Sequence, residues 1–448
     1  MRRYNLEPVN IAILGLGTVG SGTLRVLQEN ANEISRRAGR SLKIYGVSVR
    51  DANKKRDCDL SGIPVTTDPM SLVTDPKVDI VVELMGGEHE AKSLILSAIK
   101  NKKHVVTANK ALIAEHGNEI FFQAEEQGVT VAFEGAVAGG IPIIKTIREG
   151  LGGNRIDSLA GIINGTGNYI LSQMTDLGWD FETALQSAQE KGYAEADPSF
   201  DIDGVDAAHK LTILASIAFG IPLQYSSIMQ EGISSLEQMD IQYANQLGYE
   251  IKHLGIAKRL TSGIELRVHP TLVAKQSLLA QVKGVMNAVA IHANAVGPTL
   301  YCGAGAGGEA TASSVLADLV DVVRNMNVSK EVRVPYLAFQ SHTLSDMSIL
   351  LSAEIQSHYY IRLMAVDEPG ILAQVTQSLG KRKISIQKII QNEPAEQTAL
   401  VENSATTKVP VVIMTHLTQE GIIDEAIEEM QEYPGIHSRI VKLRIESF

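Results

Sequence analysis

The chain has 448 residues, 44% of them hydrophobic and 20% charged, with a formal net charge of −11. That length exceeds one ordinary core and implies two to four domains, while the negative balance excludes non-specific binding to nucleic acid or to anionic membranes. Two cysteines, Cys58 and Cys302, are too few for a disulfide framework. No apolar run reaches the roughly 18 residues of a membrane helix, and Met1-Arg2-Arg3-Tyr4 leads into the first strand without a long apolar stretch. No signal peptide is expected, and a reduced, cytoplasmic setting fits.

Val9–Leu14 is a short apolar run, the pattern of a buried strand. Gly15-Leu16-Gly17-Thr18-Val19-Gly20 follows at once, and a helical pattern begins near Thr18 and runs to about Asn30. This is G-x-G-x-x-G between a strand and a helix, the context dinucleotide binding requires. Gly15 permits the tight turn, Gly17 lets the backbone approach a pyrophosphate, and Gly20 allows close packing of helix on strand. The helix start, at Thr18 and Val19, supplies amides to the phosphate. A second strand at 42–49 ends on Arg50-Asp51, with Lys54, Lys55 and Arg56 beyond. An acidic residue at that tip binds the ribose hydroxyls of NAD, whereas an arginine accommodates the 2′-phosphate of NADP. Arg50 and its basic neighbours favour NADP(H); Asp51 serving NAD(H) is the other reading. Strands at 78–84 and 104–107 end on Met85-Gly86-Gly87 and Ala108-Asn109-Lys110, where ligands of open α/β sheets bind, and helices at 91–100 and 111–127 follow. Lys110 is either a surface lysine at a helix start or a group touching the nicotinamide ribose or substrate.

After a strand at 129–133, Glu134 to Pro142 is a loop of small residues. Such a loop can turn carbonyls toward a cation or amides toward a ligand; a domain hinge is the plainer reading. A strand at 156–163 leads to Asn164-Gly165-Thr166-Gly167-Asn168, which caps a helix to about Met174. A helix at 181–191 is closed by Gly192. Glu195, Asp197, Asp201, Asp203 and Asp206 then fall within the sixteen positions that end on Lys210. A helix at 204–219 carries Val205, Ala208, Leu211, Leu214 and Ala215 as its apolar stripe, and Asp206 and Lys210, four apart, share a face. Alternating runs at 251–260, 265–273, 281–285 and 288–295 read as antiparallel strands, completing an α+β domain whose open sheet face suits a dimer interface. Gly303 to Gly308 precedes a helix at 311–324. It brings more backbone amides to the cofactor, or it is simply the crossing back to the first domain.

A connector at 331–352 leads into a strand at 359–366, a helix at 370–379, a strand at 384–391, a polar loop at 392–407, a strand at 409–415, a helix at 419–432 and a strand at 438–445. This is β-α-β-β-α-β, a ferredoxin-like arrangement, and without a catalytic cluster it reads as a binding or regulatory module.

In their order along the chain, Gly15–Gly20, Thr107-Ala108-Asn109-Lys110, Gly192-Tyr193-x-Glu195-x-Asp197-Pro198, Asp201-x-x-Gly204-x-Asp206-x-x-x-Lys210, Gly303 to Gly307 and Asp367-Glu368-Pro369-Gly370-Ile371-Leu372 resemble homoserine dehydrogenases with a C-terminal ACT domain. The likeness covers essentially the whole chain. It implies an α/β protein with a Rossmann-type NAD(P)-binding domain at 1–135, completed by about 304–340. An α+β substrate-binding, catalytic and dimerisation domain follows at 136–303, and a ferredoxin-like ACT regulatory domain at 357–448. It implies NAD(P)-dependent interconversion of L-aspartate 4-semialdehyde and L-homoserine, on the route to threonine and methionine, in a homo-oligomer, dimer or tetramer.

By the same resemblance Lys210 matches the catalytic acid/base, Lys110 the lysine near nicotinamide and substrate, and Glu195 and Asp206 the substrate-binding carboxylates, with Gly192 a backbone contact. Gly305 and Gly307 match cofactor-binding positions. Glu134, Val137, Gly139 and Ile141 match a loop coordinating Na+ mainly through carbonyls. Asp367, Gly370, Ile371 and Leu372 match the turn of an ACT pair that binds an amino-acid effector, threonine being the expected one. One local departure is His209, where an arginine often precedes the lysine. Independently of the family, hydride transfer to an aldehyde builds negative charge on oxygen, which a cationic donor stabilises. Acting as base, the lysine needs a pKa lowered by burial, which Asp206 opposes; the balance is open at this level. Asp201 and Asp203 fit an acidic helix entry or a supporting role. Two other readings are a non-catalytic dinucleotide- and amino-acid-binding regulator and an aspartate-semialdehyde dehydrogenase. The latter needs a nucleophilic cysteine in suitable context, which neither Cys58 nor Cys302 has.

Overall fold

The computed structural model describes residues 7–391 and 408–448; the start of the chain and the polar loop expected at 392–407 lie outside them. Apart from Asn10, Val9–Leu14 is apolar because it lies inside a parallel sheet, covered on both faces. That sheet runs Val65–Thr66, Leu42–Ser48, Val9–Leu14, Ile80–Glu83, His104–Thr107, Val131–Ala132. It is the strand order of a dinucleotide-binding fold, with helices Thr18–Glu29, His89–Lys100 and Lys110–Gln127 as crossovers. A helix at Ala31–Ala38 was not expected; it buries only Ile34 and Ala38, too few apolar positions to set a period.

The helix Gly308–Asn325 returns to this sheet. Val315, Leu319 and Val322 share a core with Val9, Ile11, Ile13 and Leu24. The approach needs two glycines: a Cβ on Gly22 would lie 2.6 Å from the Gly308 carbonyl oxygen, and one on Gly308 2.8 Å from that of Thr18.

A second, mixed sheet runs Gly297–Ala304, Met286–Ala293, Ile156–Ile162, Tyr249–Leu260, Gly263–Ala274, Val441–Glu446, Gln356–Val366, Lys408–Thr415, Ile386–Gln391. The strand expected at 281–285 is instead a loop. Val282 is buried there while Val285 is exposed, and the Asn168 amide donates to the carbonyls of Val282, Gly284 and Met286, occupying groups a strand would use. The strand Gly297–Ala304 was missed; it forms a hairpin with Met286–Ala293. Gly263–Ala274 is almost wholly buried within one chain, whereas the edge strand Gly297–Ala304 is partly exposed along its length. Among the described residues no helix is long and apolar enough to cross a membrane.

The β-α-β-β-α-β tail forms as expected, with helices Ile371–Lys381 and Glu420–Gln431. It is not a separate body. Val441–Glu446 pairs in parallel with Gly263–Ala274, through Thr271/Arg444, Leu272/Ile445 and Val273/Glu446, so the tail sheet continues the middle one. Charge pairs reinforce the seam. Arg444 donates twice at 2.8 Å to Glu231, and Arg362 holds Asp240 at 2.6 and 3.0 Å with both side chains buried. Such pairs add little net stability, but removing one partner strands a buried charge. Asp240→Ala is therefore expected to destabilise the protein by about 3–5 kcal/mol, whereas Asp240→Leu with Arg362→Met recovers most of the loss; chemical denaturation reads both.

Candidate active site

The helix Val205–Phe219 is buried along nearly its whole length, so the polar side chains of its first turns are carried into the interior. Asp206 is 3% exposed and Lys210 8%. Gly204, at φ 86°, turns the chain into this helix. An acidic residue in the first turn also meets the positive end of the helix dipole.

Asp206 sits between two lysines. Its Oδ2 accepts from Lys210 Nζ at 2.7 Å, and its Oδ1 lies 2.9 Å from Lys110 Nζ. Lys210 Nζ also donates to the Ile163 carbonyl at 2.7 Å. Asn164, which caps the helix Gly165–Leu177 through its Oδ1, donates from Nδ2 to both Asp206 (2.8 Å) and Asp201 (2.7 Å). Lys110, first residue of Lys110–Gln127, stands 5.2 Å over the Phe200 ring. Three separate segments thus converge on one carboxylate.

Their electrostatics differ in sign. Burial alone would raise Asp206, but the two ammonium groups override it and hold the carboxyl well below its usual range. Burial, helped by repulsion from Lys110, keeps Lys210 below its ordinary value against the pull of Asp206. For Lys110 burial also pulls down, but Asp206 wins, with Asp201 and Glu195 assisting, and its pKa is raised. Glu195 is exposed in the turn that Gly192 opens at φ 71°, and its charge contributes to the Lys110 shift. Asp201 is raised by burial.

Two cavities lie at the C-terminal ends of the parallel strands. One, of about 370 Å³, is lined by Val19, Glu83, Gly86, Gly87, Asn109, Lys110 and Phe200. The other, of about 280 Å³, is lined by Gly15, Gly17, Arg50, Asp51, Lys54 and Arg56. Between them the glycine turn behaves as its motif requires. A Cβ on Gly20 would lie 2.1 Å from the Gly15 carbonyl oxygen and one on Gly15, at φ 94°, 2.7 Å from that of Leu84, while nothing crowds Gly17. Thr18 and Val19 begin the helix.

A family model described as the homoserine dehydrogenase NAD-binding domain matches residues 15–134, that of the homoserine dehydrogenase itself 142–320, and that of the ACT domain 359–435. A homoserine dehydrogenase of Pseudomonas aeruginosa is 56% identical over 441 residues, covering 98% of this chain and 99% of that protein. The chain belongs to the homoserine dehydrogenase family. It is accordingly an oxidoreductase with an NAD(P)-binding domain, a substrate-binding domain and an ACT domain. The crystal structure of a homoserine dehydrogenase from Thiobacillus denitrificans superposes with a TM-score of 0.91 at 51% identity, covering 98% of this chain and 99% of that one. A hyperthermophilic archaeal homoserine dehydrogenase in complex with NADPH aligns at a TM-score of 0.60 and 28% identity, over 70% of this chain and 98% of its own.

Within this homoserine dehydrogenase chain, Glu134 is buried, and its carboxylate accepts from the Ile144 and Lys145 amides at 2.9 Å each. Burial and the neighbouring Asp318 push it up to about 7, and burial raises Asp318 to about 6. Neither has an ion-pair partner among the described residues, although the charge of Arg148 acts on both and that of Lys145 on Asp318. The Gly139 carbonyl already accepts from Ser314 Oγ at 2.6 Å and that of Ile141 from the Ile143 amide at 2.7 Å, which leaves each a lone pair. The backbone turns sharply between Val137 and Gly139, with Ala138 at φ 47°.

Gly305 is packed against Asn287, whose side chain a Cβ there would overlap at 1.8 Å, and Gly307, at φ 119°, precedes the returning helix. In the tail, Gly370 (φ 100°) caps Ile371–Lys381, Ile371 packs against Gly435, Leu372 is half-buried, and Asp367 is exposed, accepting from Gln391 at 3.4 Å.

Sequence reading missed two groups. Asn164 was legible only as a helix cap, because its second hydrogen-bonding end is used across the fold. Glu83, buried at a strand end, lay in an apolar run that masked it. Asp201 and Asp203, grouped in the sequence, separate: Asp201 joins the network, whereas Asp203 presents its backbone carbonyl to Gln230. His209 turns away, bonding Glu115 at 3.2 Å and stacking on Tyr225 at 4.3 Å, which suits a packing role.

Asn164→Asp replaces two donors with a third carboxylate. It is expected to lower stability by about 1–3 kcal/mol. The introduced carboxyl and Asp201 would have folded pKa values above their unfolded ones, so the loss is smallest below about pH 4 and grows as pH rises. Thermal melts from acid to neutral pH check it.

Proposed function

We propose that the chain interconverts L-aspartate 4-semialdehyde and L-homoserine in threonine and methionine biosynthesis, with NADP(H) used in preference to NAD(H). The observation that carries this reading is the Lys110–Asp206–Lys210 cluster beside the cavity at the strand ends. In reduction, hydride passes from the nicotinamide to the carbonyl carbon and negative charge grows on oxygen. Lys210 donates the proton, and Lys110 adds positive charge near the nicotinamide and the reacting oxygen. In oxidation, Lys210 takes that proton back, which its lowered pKa favours. Asp206 and Glu195 bind the amino acid and its ammonium, with a backbone contact at Gly192. Gly15, Gly17, Thr18, Val19 and Gly20 hold the pyrophosphate, assisted by Gly305 and Gly307.

Arg50, in a cavity shared with Lys54 and Arg56, supports NADP(H) by matching a 2′-phosphate, as does the NADPH bound to the archaeal relative. Glu134, with carbonyls of Val137, Gly139 and Ile141, fits Na+, a hard cation that takes oxygen ligands; bound there it would brace the loop between domains. The domain boundaries are those given by the sequence: 1–135 with 304–340, 136–303 and 357–448. The tail binds an amino-acid effector, threonine, at Asp367, Gly370, Ile371 and Leu372, giving feedback control. The exposed edge hairpin supports a homo-oligomer, and the biosynthetic role supports a cytoplasmic setting.

Purified protein should oxidise NADPH with aspartate semialdehyde at least about tenfold more efficiently than NADH, and Arg50→Ala should remove that preference; no turnover with either coenzyme would sink the reading. Threonine added to the same assay reads the effector. Lys210→Ala should lose about 10²–10⁴-fold in kcat with NADPH affinity retained. In homoserine oxidation, kcat/KM should rise with pH through an apparent pKa below the ordinary lysine value of 10.5. Asp206→Asn removes the largest influence raising Lys210, so beside its loss of rate that limb should move to lower pH.

A further inference from the structure

Glu83 is the last residue of the strand Ile80–Glu83, fully buried from solvent, yet it lines the cavity shared by Val19, Asn109 and Lys110. Its carboxylate accepts from the Thr107 hydroxyl at 2.6 Å and the Met85 amide at 2.8 Å. Thr107 Oγ1 accepts in turn from the Asn109 amide at 3.0 Å, and Asn109 Nδ2 donates to the Gly87 carbonyl at 2.6 Å. Every partner is neutral. Among the described residues no cationic nitrogen lies within ion-pair reach of Glu83, and the ammonium of Lys110 is engaged by Asp206. A buried carboxylate is normally paired with a cation, and this one is not. Burial pushes its pKa up by more than the hydroxyl and amide donors pull it down, so a positive charge brought into the cavity would favour its ionised form.

On the reading that the nicotinamide end of the coenzyme occupies this cavity, the missing cation has one natural source. The oxidised nicotinamide ring is positively charged and the reduced ring is neutral, so the two coenzyme forms differ by one charge where Glu83 faces the cavity. We propose that Glu83 is the counter-charge to the oxidised nicotinamide ring, a specificity-determining residue that sets the relative affinity for oxidised and reduced coenzyme. Its bonds to the two strand-end turns hold it in place. In a partly desolvated cavity the interaction outweighs its value in water. Because the reduced coenzyme has no charge to lose, a packing role and a charge role predict different results.

The test is the dissociation constant of NADP+ and of NADPH for the full chain, with NADPH followed by its fluorescence and NADP+ by competition. Glu83→Gln keeps the shape and removes the charge. It should weaken NADP+ roughly tenfold or more while NADPH changes by less than about threefold. Glu83→Met, similar in size and without polar demand, reads the same ratio if the glutamine variant does not fold. Thr107→Val, which removes the hydroxyl donor to the carboxylate, should shift the ratio in the same direction as Glu83→Gln and by less. Equal weakening of both forms, or no change in either, would overturn the proposal. Failure of the unmodified protein to bind either coenzyme would overturn the placement of the coenzyme itself, and the Glu83 role with it.

Discussion

One carboxylate shared by two lysines sets the demands on the rest of the molecule. Asp206, buried and wedged between Lys110 and Lys210, is held ionised by the two cations against the cost of burial. Its environment needs a helix buried all round, a strand end at Ile163, an asparagine cap at Asn164 and the first turn of a helix from the other domain. Since Lys110 belongs to the dinucleotide-binding half and Asp206 to the substrate half, the pair also closes the seam between them. The two lysines end on opposite sides of their ordinary pKa, one suited to exchanging a proton and the other to remaining a fixed charge.

The tail is joined to this centre by backbone pairing. Val441–Glu446 extends the middle sheet, and Arg444 on it holds Glu231, whose carbonyl meets His253 at 2.9 Å; His253 in turn packs against Gly204, at the start of the Asp206 helix. A module that reads as an independent sensor in sequence is continuous in structure with the Asp206 helix.

Much of the first domain was legible because its constraints are local. A glycine in a left-handed turn, a glycine under a carbonyl and an apolar run before a helix each leave a mark within a few residues, as Gly15, Gly20 and Val9–Leu14 do. The i, i+4 pairing of Asp206 and Lys210 was readable for the same reason. Where the reading failed, distant contacts were responsible. The 281–285 segment has strand-like composition but is held as a loop by Asn168, more than a hundred residues away. Ala31–Ala38 has too small a buried face to announce itself.

By itself the sequence determined most of the elements, the order of domains, the family and the residue types of the site, since periodicity, turn chemistry and motif spacing are short-range. Only the tertiary structure decided which acidic residue is buried between two cations, which lysine loses proton affinity, that Asn164 and Glu83 belong to the site and that the tail continues the middle sheet. Each of these depends on desolvation and on charges brought together across the fold, and neither quantity exists until the chain is packed.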